Sequence, residues 1–195
     1  MSNTDTLPLI IGLTGGIGSG KSIISQLFSE LDVPVIDTDH LSRELVQKGS
    51  PLLNEISNYF GEGILLKSGN LDRETLRRKI FADPEKKQWL EQLLHPQIRE
   101  LILIKLAKLS DDYVIIVVPL LLESNDYSFI NRVLVVDCSE ALQLKRSIDR
   151  DQSRPDEIKT IIASQMPRSQ RLPLADDIIL NEGSLNYLRE KVADL

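Results

Sequence analysis

The stretch LIIGLTGGIGSGKSIISQLF, residues 9–28, constrains the fold more than any other part of the chain. The apolar run around Gly12 predicts a β-strand over Leu9–Leu13, and Ile23, Ile24, Leu27, Phe28 and Leu31 carry helical spacing. Between the two, Gly15, Gly16, Gly18 and Gly20 fall within six positions. Glycine is costly to order, so this concentration implies that something approaches the main chain more closely than a Cβ allows. Gly15, four further residues and then Gly20-Lys21-Ser22 fit the phosphate-loop pattern, which needs a strand before it and a helix after it. In such a loop the amides curl around an anion and the helix start adds its positive dipole end. Lys21 would reach the outer phosphates and the Ser22 hydroxyl a magnesium ion. The expected occupant is a nucleoside triphosphate, ATP above all.

Four more apolar runs predict strands, at 33–36, 113–118, 132–136 and 177–180. Strands apolar throughout and alternating with helices point to an α/β fold with a parallel sheet covered on both faces. Pro119 cannot extend a ladder and marks the end of the third strand. From Ser50 to Asp112 the signals are helical only: PLLNEISNYF, DRETLRRKIF, PEKKQWLEQLL and PQIRELILIKLAKL. Pro84 and Pro96 are each placed in the first turn of a helix, where a missing N–H does no harm. The sequence GEGILLKSGNLD (61–72) reads as a turn-rich loop. A second excursion, RDQSRPDEIKTIIASQMPRSQRLP, precedes the last strand. The resulting division is a nucleotide-binding core over 8–49, 111–150 and 174–195, a helical insert over 50–110, and the excursion over 151–173.

Charge and composition remove other classes. A formal net charge of −6 argues against general nucleic-acid binding. The charge is uneven, however. Lys145, Arg146, Arg150, Arg154, Lys159, Arg168 and Arg171 outnumber Asp149, Asp151, Asp156 and Glu157 in one segment, which suits a small anionic ligand. The longest apolar run, VIIVVPLLL, is too short to span a bilayer, so no membrane association is expected. The polar start MSNTDTLP does not read as a signal or transit peptide. Cys138 is the one cysteine, and with two histidines in the chain little is left for a zinc site. A cytoplasmic location follows as the default, and no obligate protein partner is predicted.

The second strand ends VIDTDHLSREL, with Asp37 and Asp39 two apart. If the chain stays extended, both carboxylates face one side, at the strand ends that border the ligand crevice of an open parallel sheet. One of them could then accept a hydroxyl proton beside the phosphates. The competing reading is that either simply caps the following helix. The third strand carries Pro119 where motors and switches present a magnesium-organising acid, and no guanine-reading Asn-Lys-x-Asp occurs.

The segments LTGGIGSGKS, VIDTDHLSREL, NLDRETLRRKIF, LLHPQI, VVPLLLE and LKRSIDRD, in this order and spacing, resemble the dephospho-coenzyme A kinase family. The likeness runs from about Leu9 to about Asn181. It implies a three-layer P-loop kinase fold: a five-stranded parallel sheet, a helical acceptor-binding insert and a lid over 151–173. It also implies that ATP and Mg2+ serve phosphorylation of the ribose 3′-hydroxyl of dephospho-coenzyme A. By that resemblance Gly18, Ser19, Gly20, Lys21, Ser22 and Ile23 form the ATP site. Asp39 is the catalytic base, with Asp37 as support or water-mediated magnesium partner beside Ser22. Ile23 departs from the threonine frequent in the family.

Arg146 and Arg150, four apart on one helix face, are read as catalytic groups that neutralise transferring charge. Arg154, Arg168 and Arg171 are open between that role and solvated charge. Arg73, His95 and Glu123 are candidate acceptor contacts. For Arg73 a solvated charge, for His95 a helix-capping or packed imidazole, and for Glu123 a hold on arginines are the alternatives. Trp89, Tyr59 and Phe60 are expected in the core, and Cys138 as a small buried residue. A kinase acting on another small acceptor, such as a nucleoside monophosphate or sugar acid, and a nucleotide-binding regulator without chemistry are the competing functions.

Overall fold

The computed structural model describes residues 8–124, 127–152 and 154–195, so the polar N-terminal run before Pro8 lies outside the described residues. The chain separates into two compact units, one reaching Asp37 and resuming over Leu109–Leu195, the other Thr38–Lys108.

In the first unit five strands form one parallel sheet: β1 (Leu9–Thr14), β2 (Val35–Asp37), β3 (Tyr113–Val117), β4 (Arg132–Asp137) and β5 (Asp177–Leu180), in the order β2-β3-β1-β4-β5. Gly12 pairs with Ile116 on one side and Val133 on the other, which fixes β1 at the centre. Helices α1 (Lys21–Glu30) and α9 (Leu185–Ala193) cover one face. There Ile24, Leu27, Phe28, Leu188 and Val192 meet Leu13, Ile115, Val117, Leu134, Val136 and Ile179 in one buried cluster. The strand residues of opposite parity, Val114, Ile116 and Val135, are also sealed from solvent. Burial of both faces is why the inner strands β1, β3 and β4 read as continuous apolar runs. The second strand lies later than expected, at 35–37 rather than 33–36: Pro34 precedes it and only its carbonyl joins the ladder, accepting from the Ile115 N–H at 2.9 Å. The unit also holds α6 (Glu140–Asp151), α7 (Pro155–Ser164) and the short α8 (Arg168–Arg171).

The second unit consists of α2 (Thr38–Leu45), α3 (Pro51–Phe60), α4 (Arg73–Ala82) and α5 (Pro84–Leu106). Its core gathers Val46, Leu53, Ile56, Phe60, Ile64, Leu71, Leu76 and Leu90. The sequence division left residues 38–49 with the nucleotide core, whereas α2 packs on α5 and groups with this unit. Capping sets the helix starts. The Ser50 hydroxyl accepts from the Leu53 N–H at 3.1 Å with Pro51 behind it, and Asp72 accepts from the Thr75 N–H at 3.0 Å. Replacing Ser50 with alanine is expected to cost about 1 kcal/mol, read as a lower denaturation midpoint with an unchanged m-value.

Two expectations fail in this unit. Pro96 does not open a helix: α5 runs unbroken from Pro84 to Leu106, with Pro96 inside it and His95 in its middle. The proline leaves the Gln92 carbonyl without its usual donor, but Leu90, Ile98, Ile102 and Leu106 bury on both sides of it, so tertiary packing overrides the local penalty. Tyr59 is exposed and stacks flat on half-buried Trp89 (centroids 3.9 Å apart, planes at 4°), while Phe60 is in the core as expected.

Candidate active site

The glycine-rich turn closes between β1 and α1. Gly20 sits at φ 98° and begins the helix with no side-chain cap, and no acid occupies the first turn of α1. The positive end of the helix dipole is therefore left uncompensated at the loop. Lys21 folds back so that Nζ donates to the Gly15 carbonyl at 2.7 Å and the Gly16 carbonyl at 3.1 Å. This ties its charge to the loop backbone. Gly18 adopts φ 67°, and a Cβ there would stand 2.6 Å from the Gln143 carbonyl oxygen of α6, so only glycine fits. Ser22 is exposed at the helix start. Ser19 is fully buried, with its Oγ unpartnered among the described residues, and Ile23 donates its N–H to the Gly20 carbonyl at 3.0 Å.

Distant residues brace this loop, and none announced itself in the sequence. Asn181, at the end of β5, donates its Nδ2 to the Ser19 carbonyl at 2.7 Å. Gln165 accepts from the Ile17 N–H at 2.9 Å through Oε1. From α6, Gln143 donates to the Cys138 carbonyl at 3.2 Å, and the Cys138 thiol points at the Gly18 carbonyl at 4.0 Å. Burial pushes that thiol's pKa up, with Arg146 pulling the other way. Cys138 is buried, as expected.

The basic segment sorts by partner. Arg168 holds Asp137, which is only 3% exposed, through Nε at 2.9 and 3.0 Å and Nη2 at 2.6 Å, and this pair raises the arginine's pKa. Arg150 is tied to Asp151 by two bonds of 2.7 Å at the surface. Arg146 has a buried Nη1 with no acceptor among the described residues. Glu123 accepts from the Met166 N–H at 2.9 Å, holding main chain rather than an arginine. Arg168→Ala would strand a buried carboxylate. A stability loss of about 2 kcal/mol is expected by denaturant titration, largely recovered when Asp137→Asn is added.

Asp37 and Asp39 do not continue one extended strand. β2 ends at Asp37, α2 begins at Thr38, and Asp39 lies exposed in the helix's first turn, so strand alternation no longer relates the two carboxylates. Within the second unit Asp39 shares its helix face with Arg43, four residues on. Partial burial lowers the Arg73 pKa, the Arg43 charge lowers it further and Asp39 opposes both. Sequence reading passed over Arg43, although its i,i+4 spacing from Asp39 was a usable signal. Among the described residues, no group of three His, Cys, Asp or Glu side chains comes together as a metal cage.

A family model described as dephospho-CoA kinase matches residues 9–187. The chain belongs to the dephospho-CoA kinase family. It is 49% identical to the dephospho-CoA kinase of Idiomarina loihiensis, covering 95% of this chain and 92% of that protein. It is 51% identical to the dephospho-CoA kinase of Aggregatibacter actinomycetemcomitans, with the same two coverages. The solved dephospho-CoA kinase from Campylobacter jejuni superposes with a TM-score of 0.70 at 28% identity, covering 96% of this chain and 95% of that one. The five-stranded parallel sheet with its phosphate loop is thus the P-loop kinase fold expected of a dephospho-CoA kinase. Among the described residues, no helix is long and apolar enough to cross a membrane.

Proposed function

We propose that this chain forms coenzyme A by moving the terminal phosphoryl group of ATP onto the ribose 3′-hydroxyl of dephospho-coenzyme A, with Asp39 as the base. Family membership sets the reaction. The observation that carries the site reading is the loop itself, where the uncapped start of α1 and the Lys21 ammonium meet in one glycine-rich turn. The amides of Gly18–Ile23 bind the triphosphate, and Lys21 exchanges part of its carbonyl contacts for outer phosphate oxygens. The ribose 3′-oxygen attacks the γ-phosphorus, the bond to ADP breaks, and Asp39 takes the hydroxyl proton late, since the transition state is loose. Arg146 and Arg150, with residues 151–173 as a lid, neutralise the transferring charge and exclude water.

An exposed hydroxyl and one half-buried carboxylate suit an ion that draws most of its oxygens from phosphate and water. Ser22, with Asp37 through water, would hold Mg2+, whose chemistry there is to neutralise charge across the phosphates. Arg73, His95 and Glu123 serve the acceptor, with Arg43 added beside Arg73. A cytoplasmic location fits substrates of this kind.

Incubation with ATP and dephospho-coenzyme A, followed by mass spectrometry of the product, tests the reading. A phosphate located on the ribose 3′-oxygen is expected. Phosphate at another position, or turnover only with a nucleoside monophosphate or sugar acid, would refute it.

A further inference from the structure

Arg171 closes the short helix α8 and is only 6% exposed, the one arginine among the buried polar and charged residues described. Its Nε is sealed from solvent without a hydrogen-bond partner among the described residues. The Asp137 carboxylate at the end of β4 is not available to it, because Arg168, one turn back along α8, already takes it with three contacts. A guanidinium withdrawn from water without a counter-charge is costly, and it stays charged because its pKa is far above neutral. An anion bound here would supply the missing partner.

The surrounding anchors tie the stretch leading to Arg171 to the phosphate loop and to the strand end that borders it. Gln165 accepts from the Ile17 N–H of that loop, Met166 is held by Glu123, and Arg168 pins α8 to the C-terminal end of β4. Arg171 lies three residues after Arg168 and so on the same side of the helix. Gln165 and Arg168 therefore fasten this segment to the loop and to the strand end that borders it. From this placement we infer that Arg171 is a further phosphate-binding residue of the nucleotide site, its guanidinium meeting phosphoryl oxygens of the bound nucleotide. Arg168, of similar position in the sequence, is structural. The inference rests on the proposed nucleotide site and adds to it a residue that electrostatics selects.

The full chain carrying Arg171→Met or Arg171→Lys is compared with the unaltered protein by thermal unfolding with and without ATP, and by steady-state kinetics. Removing an uncompensated charge should leave the ATP-free midpoint of Arg171→Met unchanged or higher. The upward shift produced by saturating ATP should shrink, and kcat/KM for ATP should fall at least tenfold. Arg171→Lys should recover only part of either loss, because an ammonium cannot form the two-pronged contact. Retention of the full ATP-induced shift and of KM in both variants would overturn the inference, whatever their ATP-free stability. Failure of the reaction itself is separate. If the unaltered protein makes no coenzyme A yet shows an ATP shift that Arg171→Met loses, the acceptor assignment falls and the arginine's role stands.

Discussion

Asp39→Asn is expected to lower kcat by about 10²–10⁴, the usual contribution of a positioned general base, while KM for both substrates changes by only a few-fold. The asparagine keeps the size and hydrogen-bonding reach of the side chain at the start of α2 and removes its capacity to take a proton. Asp39 is exposed in the first turn of its helix, so the folded state should tolerate the change. Loss of a favourable helix-terminus charge costs only some tenths of a kcal/mol. A near-normal denaturation midpoint beside a collapsed kcat is the expected combination. A kcat within threefold of the unaltered protein would remove Asp39 from the reaction and shift attention to Asp37.

Lys21→Ala is expected to cost about 10²–10³ in kcat, the magnitude typical of losing one well-placed stabiliser of developing charge, with KM for ATP rising as well. The ammonium lies 2.7 Å from the Gly15 carbonyl, so the alanine variant also loses an internal tie of the loop. Lys21→Arg should not restore turnover, because a planar fork needs more room than a point charge. Equal kcat and equal ATP affinity in Lys21→Ala would show that the loop does not hold the triphosphate. Stopped-flow phosphate transfer and nucleotide titration separate the two losses.

Much of the sheet was legible because burial on both faces leaves a strong compositional trace. Runs such as Tyr113–Val118 and Arg132–Val136 stand out without alternation, and the phosphate loop declares itself through glycine spacing. Local patterning failed where tertiary packing decides. Pro96 reads as a helix start on local rules, yet α5 passes through it because burial on both flanks outweighs one lost hydrogen bond. Asp37 and Asp39 would share a side only if the chain stayed extended, and nothing in VIDTDHL marks Thr38 as the switch to helix. The braces of the loop were illegible for another reason. Gln165 and Asn181 act across 148 and 162 residues of chain, and a carboxamide in a polar segment has no periodicity to betray it. The pairing of Arg168 was equally hidden. Charge counts showed a basic segment, but only the folded chain separates Arg168, held by a carboxylate, from Arg171, whose buried Nε has no partner among the described residues.

The bond from Asn181 to Ser19 ties the order of assembly to competence. Strand β5 follows the other four strands in the chain, so during synthesis the phosphate loop lacks its Asn181 brace until residues through 181 have emerged. A growing chain of some 170 residues would hold most of the sheet and still grip ATP poorly. Nucleotide retention therefore reports completion of the last strand, and C-terminal truncations should lose it abruptly once residue 181 is removed.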